Sequence, residues 1–172
     1  MTIWRVVCAL AIFGFATPAS AQLLVFTVPG PPLPKCPAAS LAQRQKAIAE
    51  ADRHLPRFWQ TYREAWIKSG RFLVLTGFQR RDGTFAYIWS EILSVNGKSF
   101  QSKLLDSDSK DLAFRKNDKI VGQFDSVIDW GVKSSFDGRW YGLFLRRATL
   151  PNCTKAQRDD LMARHLTSSA VP

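Results

Sequence analysis

Few side chains in this sequence have the type and setting to do chemistry. Glu91 lies in an apolar run between Trp89 and Leu93, and Asp129 immediately precedes Trp130. A carboxylate enclosed by apolar neighbours must be paired, or its pKa rises. A carboxyl raised in this way can act as a general acid. Two carboxyls lining one cleft roughly 5–10 Å apart would suit glycoside hydrolysis. Each also has a plainer use: Glu91 in an ion pair or hydrogen bond, with Ser102 a candidate partner, and Asp129 in an Asx-type turn that bonds backbone amides. Arg139, Arg146 and Arg147 crowd the last strand-like run beside Trp140. Arginine with tryptophan suits anionic or glycan ligands through bidentate bonds and cation–π contact, and serves equally as surface stacking.

Other chemistries find little footing. There is no Gly-x-Ser-x-Gly elbow, so the strand–turn–helix that exposes a nucleophilic serine is not signalled. His54 and His165 are the two histidines, each at an expected helix end, where imidazole is solvated or offsets the helix dipole. No His/Cys cluster has zinc spacing. Asn96-Gly97-Lys98-Ser99 ends like a phosphate-binding loop, but Ile92 occupies the place of the first glycine. A hairpin turn explains it better. No metal or other cofactor is implied.

These residues need a sheet to position them. Asp82-Gly83, Asn96-Gly97 and Asp137-Gly138 each separate apolar runs and fit two-residue hairpin turns. Strands are expected over 71–80, 85–95 and 98–105. Read literally, the turns pair Phe78 with Tyr87, Thr76 with Trp89, Val74 with Glu91 and Phe72 with Leu93. The second turn pairs Leu93 with Phe100, Glu91 with Ser102 and Trp89 with Leu104. Alternation puts all of these on one face, packed on helices. The opposite face carries Leu73, Leu75 and Ile88 with Gln101 and Lys103, so a curled sheet or small barrel is expected to cover it.

Further strands are expected near 119–125 and 127–135, and the third turn joins 127–136 to 139–147. That register sets Asp129 opposite Arg146, an ion pair that would orient Trp130 or line a polar pocket. Before the sheet, Ser40 and Gln43 form a capping box for a helix, and Pro56 can open a second helix that carries Phe58, Trp59, Tyr62 and Trp66 to Ser69-Gly70. Residues 106–118 read as a polar loop with a short helical turn at 110–114. Thr154 and Gln157 form a second capping box for a final helix reaching about Leu166, followed by a frayed tail.

The first residues belong to targeting. Arg5 precedes an apolar run of eleven residues, Val6 to Ala16, and Ala19-Ser20-Ala21 is a small-x-small cleavage site. The run is shorter than the roughly 20 apolar residues of a membrane span. Cys8 lies within the leader. The mature chain would begin at Gln22 and lose only Arg5 among its charges, so the net charge falls from +10 to +9. A basic surface outside the cytoplasm favours anionic lipid headgroups or acidic glycans over nucleic acid, or simply keeps the chain soluble. Cys36 and Cys153 remain, an even pair in an oxidising compartment, without a Cys-x-x-Cys motif, which predicts a disulfide. Residues 29–37, Pro-Gly-Pro-Pro-Leu-Pro-Lys-Cys-Pro, exclude helix and read as an extended arm.

Three runs carry a family resemblance: Phe85-Ala86-Tyr87-Ile88-Trp89, then Ile128-Asp129-Trp130, then Tyr141-Gly142-Leu143-Phe144-Leu145-Arg146. As a set they resemble the YegJ-like family, the domain of unknown function 2314. That family shows a strand ending in Trp, an Ile-x-Asp-Trp-like stretch and a Gly-containing strand ending in Arg. The resemblance spans about 50–149. Ala86 stands where the family has an acidic residue, and Asn117-Asp118 where it has Gly-Asp. The resemblance implies a fold and no reaction.

The expected chain is thus a leader (1–21), a Pro-rich arm (22–39), an α+β domain (40–150) and a C-terminal helix and tail (151–172). The domain should pack N-terminal helices on a bent, mainly antiparallel sheet of five or six strands or a partial barrel. The leading expectation for function is a non-catalytic periplasmic or secreted binding module using Asp129, Trp130 and Arg146, with Glu91, Trp89 and Arg139 as weaker contributors. The alternatives are an envelope hydrolase using Glu91 and Asp129, and a structural or partner-binding protein without a small ligand, marked by an exposed apolar patch.

Overall fold

Ser40 starts the first helix, α1, Leu41–Arg63: its Oγ accepts the Gln43 amide at 3.2 Å, and Gln43 Oε1 accepts the Ser40 amide at 2.7 Å. The computed structural model describes residues 36–64, 70–80, 82–106 and 114–167. The leader, residues 22–35 of the Pro-rich arm, the turn expected at 110–114 except Phe114, the helix end expected near 69 and the tail from 168 lie outside the described residues. Pro56 does not divide α1 into two helices. It lacks an N–H for the Asp52 carbonyl, but Asp52 and Pro56 are both exposed, so water can serve that group. Leu55, Phe58 and Trp59 are buried around the proline and hold one continuous helix to the sheet.

The sheet has strands β1 (Arg71–Gln79), β2 (Phe85–Asn96), β3 (Ser99–Leu104), β4 (Lys119–Gln123), β5 (Val127–Lys133) and β6 (Trp140–Gly142). Their order is β4-β3-β2-β1-β5-β6, antiparallel throughout. β4 and β5 are consecutive in the chain but four strand spacings apart in the sheet, roughly 19 Å if it were flat. Four residues from Gln123 to Val127 reach about 14 Å at most. The sheet must therefore curl, and a 3-10 turn at Phe124–Ser126 makes the crossing. This is the bent α+β architecture expected from the sequence.

The concave face receives α1. Phe72, Val74, Ile92, Phe100, Trp130 and Val132 pack around Ala51, Leu55, Phe58 and Trp59. The other face is covered by the C-terminal segment: Leu73, Leu75 and Trp89 meet Trp140, Leu143 and Leu166. After β6 come the short helix α2 (Phe144–Arg147), a 3-10 turn (Leu150–Asn152) and α3 (Lys155–Arg164). Thr154 and Gln157 form the second capping box. Cys36 and Cys153 are bonded, with Cα atoms 4.8 Å apart.

Three registers differ from the literal reading of the turns. The first loop has three residues, 81–83, so Phe78 pairs with Ala86, Thr76 with Ile88 and Val74 with Ser90. Asp82 Oδ1 accepts the Thr84 amide and hydroxyl, and Gly83 takes the left-handed conformation (φ +83°). That is the three-residue hairpin with an αL glycine. A slip of one residue exchanges faces, so Trp89 and Glu91 lie on the face away from α1. In the second hairpin Gly97-Lys98 is the loop, Asn96 pairs with Ser99, and a bulge at Leu93 shifts the remaining pairs. In the third, Lys133 pairs with Trp140, and β6 ends after three residues where Gly142 and Leu143 turn left-handed (φ +71° and +54°). The expected strand 139–147 is therefore part loop, part strand and part helix.

Gly122 on edge strand β4 sits against the Phe100 ring, and a Cβ there would lie 2.4 Å from Phe100 Cζ. Gly122→Ala is expected to cost about 1–3 kcal/mol through overpacking, read as a lower urea midpoint. An unchanged midpoint would mean that Phe100 can rotate away freely.

Candidate functional site

Asp129 is fully buried on β5. Its Oδ1 accepts the amides of Trp130 (2.8 Å) and Phe144 (3.0 Å), and its Oδ2 accepts the Leu145 amide at 3.0 Å. The last two are the first amides of α2. The residue before α2, Leu143, offers no capping oxygen, so Asp129 caps the helix from a neighbouring strand. Gly142 allows the approach: a Cβ there would meet the Trp130 carbonyl oxygen at 2.5 Å. Burial pushes the Asp129 carboxyl up to about 7, against the three amides and the nearby Arg147 charge, which pull it down.

Arg146 does not face Asp129 across a ladder. It lies on α2, because β6 stops at Gly142 and the register places residue 144 beside Asp129. Burial lowers Arg146 to about 10. The cation that acts on Asp129 is Arg147. Its guanidinium donates to the carbonyls of Gly142, Thr167 and Trp140, stitching β6 to the segment after α3. Trp130 is buried in the main core and donates its indole N–H to the Ala51 carbonyl at 2.9 Å. Arg139 lies in the β5–β6 turn and donates to the Ala163 carbonyl at 2.6 Å. Asp129, Trp130 and Arg147 are thus held by the fold's own groups.

Glu91 forms a two-pronged ion pair with Arg71, both contacts at 3.0 Å, rather than bonding Ser102. Arg71, and secondarily Lys103, hold its carboxyl below the ordinary range. That direction is opposite to the one a general acid needs. Trp89 is buried beneath the C-terminal segment. His54 is not at a helix end: within α1 it bonds Glu50 at 2.9 Å and stacks on Phe144. His165 follows the last turn of α3.

The open concavity lies elsewhere. A cleft of about 570 Å³ runs between α1, the β2–β3 turn and the β4–β5 connection. Its walls are Leu55, Pro56, Trp59 and Phe124, and its rim is Asp52, Arg63, Lys98, Gln123 and Asp125. Trp59 and Phe124 stack at 3.8 Å, nearly parallel, and the Arg63 guanidinium lies 6.0 Å from the Phe124 ring centre. The site thus joins the half-buried Phe124 ring, backed by the buried Trp59, to cations and carboxylates at its mouth. In the sequence Trp59 falls in an expected core stripe, Lys98 at the start of the expected strand 98–105 and Phe124 in the expected strand 119–125. The available signal was Phe124-Asp125-Ser126, an interruption between two strand-like runs. A second hollow of about 330 Å³ lies between α1 and α2, lined in part by Lys46, Glu50, Phe144 and Arg147.

Among the described residues, no helix is long and apolar enough to cross a membrane, and no cluster of His, Cys, Asp or Glu is placed to hold a metal ion. No family model, curated protein or solved structure matches the chain.

Proposed function

We propose that this chain is a non-catalytic binding module of the periplasm or the secreted space, and that its ligand surface is the Trp59–Phe124 cleft. The observation that carries this reading is the pairing of a stacked aromatic wall with the rim cations Arg63 and Lys98 in an open concavity. An apolar cleft with a few convergent polar groups is the usual form of a small-ligand site. The ligand class that fits is an anionic envelope component with one apolar face, such as an acidic sugar ring. The hydrolase alternative lacks comparable support, because Asp129 is committed to three amides and Glu91 to Arg71. The leader and the Cys36–Cys153 bond both suit an exported protein. Membership of the YegJ-like family belongs to the same proposal; its three motifs fall on β2, on β5 and across β6 and α2.

The test is amide and indole NMR during titration with uronic-acid oligosaccharides and with neutral oligosaccharides of equal length. Shifts should gather on Trp59, Lys98, Gln123 and Phe124 for the acidic series. Arg63→Ala and Lys98→Ala should each weaken binding about tenfold, as for one charge-assisted contact, with thermal stability kept. Shifts absent from these residues would sink the proposal.

A further inference from the structure

We infer that the β5–β6 turn and the basic strand residues at its base form a docking surface for an anionic lipid membrane, with Phe136 as the inserted side chain. None of its residues lines the Trp59–Phe124 cleft, so the two readings stand or fall separately.

Phe136 is 100% exposed. The backbone that presents it is fixed. Ser134 Oγ accepts the amides of Phe136 (3.1 Å) and Asp137 (3.3 Å), and Asp137 Oδ1 accepts the Arg139 amide at 3.1 Å. The Ser134 amide donates to the Arg139 carbonyl at 2.9 Å, and the Gly138 amide returns to Ser134 at 3.0 Å. Gly138 supplies the positive φ, +72°. Ser134, Asp137 and Gly138 thus meet the needs of the turn. Phe136 adds nothing to it and forgoes the burial that other aromatics of the chain obtain.

The charges at the base of the turn are unbalanced. Lys133 and Arg71 are direct cross-strand partners on one face, an arrangement that costs stability when both are cations. Glu91 offsets Arg71, but Glu91 is itself the cross-strand partner of Lys103. Arg139 flanks the turn, with Asp137 beside it. Arg71, Lys103, Lys133 and Arg139 therefore face two carboxylates, in a chain of net charge +10. A ring projecting beyond a cluster of cations matches the layering of a membrane interface, where phosphates lie outside the acyl boundary. A single ring at the tip of a tight turn has little flat area for a protein partner, whose stable interfaces bury on the order of 1,000 Å² or more.

The experiment is co-sedimentation of the exported chain with phosphatidylcholine vesicles, with and without a one-third share of phosphatidylglycerol, using the same N-terminus in every protein. The chain should bind the mixed vesicles, more weakly as salt is raised, and bind pure phosphatidylcholine poorly. Phe136→Ser should lower partitioning about tenfold or more, the loss of most of one aromatic's burial. Lys133→Glu should weaken it further and flatten the salt dependence. Equal binding by Phe136→Ser, equal binding to both vesicle types, or binding to neither would overturn the inference. So would tight binding to heparin, unchanged in Phe136→Ser, with no vesicle binding, which would identify an acidic glycan as the partner.

Discussion

Replacing Asp129 by Ala is expected to destabilise the fold by about 3–5 kcal/mol, the scale for leaving buried partners of a charged group unpaired. Three amides converge on this one carboxyl, and two of them open α2. Without an acceptor, the Phe144 and Leu145 amides lose the cap that Leu143 cannot provide. Asp129→Asn keeps the shape but turns an NH₂ group toward one of the donors, and should cost about 1–3 kcal/mol. The two variants differ more sharply in pH dependence. Burial raises the folded-state carboxyl from 3.8 to about 7. The folded state therefore holds one more proton than the unfolded state between those values. Its contribution is fully present below the unfolded pKa and is lost as pH rises through about 7. The slope is on the order of 1.4 kcal/mol per pH unit for one proton. Arg147 is the charged group acting on the site, and it limits the rise without reversing it. Urea midpoints across pH 4 to 8 should fall in the wild type and lose that component in Asp129→Asn. Parallel profiles would show that the carboxyl stays ionised throughout.

The role of Asp129 was half legible in the sequence. An aspartate before a strand tryptophan suggests a bond to nearby backbone, and the Trp130 amide bond is of that kind. The two amides from α2 were not legible, because they depend on a left-handed turn at Gly142-Leu143 inside an apolar run that reads as one strand. A left-handed leucine has no local signature, since the conformation is unfavourable for a branched side chain and is imposed by packing. The same cause removed Arg146 from its expected place opposite Asp129. The helix starts were legible, because a capping box is a local bond between residues three apart.

Register was harder than turn position. All three Gly-containing turns mark real chain reversals, but loop length decides which residues pair. Alternation could not correct the error, because β1 is buried on both sides. Phe72, Leu73, Val74 and Leu75 are consecutive and all enclosed, alternately under α1 and under the C-terminal segment. A strand covered on both faces reads as a continuous apolar run and does not say which face is which. The consequence fell on Glu91. One residue of slip takes it from an expected place in the core to a half-exposed pair with Arg71. The candidate site moved for a related reason. The cleft is made by the curl of the sheet, which brings Phe124 to Trp59 across 65 positions of chain, and a long-range contact of that kind leaves no periodic trace.

Removing the Cys36–Cys153 bond is expected to cost about 4–5 kcal/mol in the chain-entropy account. The two cysteines are separated by 117 positions, so the bond closes nearly the whole described domain into one loop. A loop of that length restricts the unfolded chain strongly. The native contacts around the bond do not depend on it alone. Asn152 Nδ2 donates to the Ala38 carbonyl at 2.9 Å, and Gln43 Nε2 donates to Asn152 Oδ1 at 3.2 Å, joining the same two segments. The double variant Cys36→Ser, Cys153→Ala should therefore keep the fold, with near-native amide shifts, while its unfolding midpoint drops. Single variants would leave one thiol free to form mixed disulfides, so they are poor tests. Domains of this size are commonly stable by about 5–15 kcal/mol, which makes the loss a large share of the total. Equilibrium urea unfolding of the oxidised protein and of the double variant measures it directly. A midpoint unchanged by the double substitution would mean that the unfolded chain is already compact enough for the cross-link to add no restriction. Recovery of both thiols free from protein exported to an oxidising compartment would show that the bond does not form there, and would remove its support for an extracytoplasmic site of action.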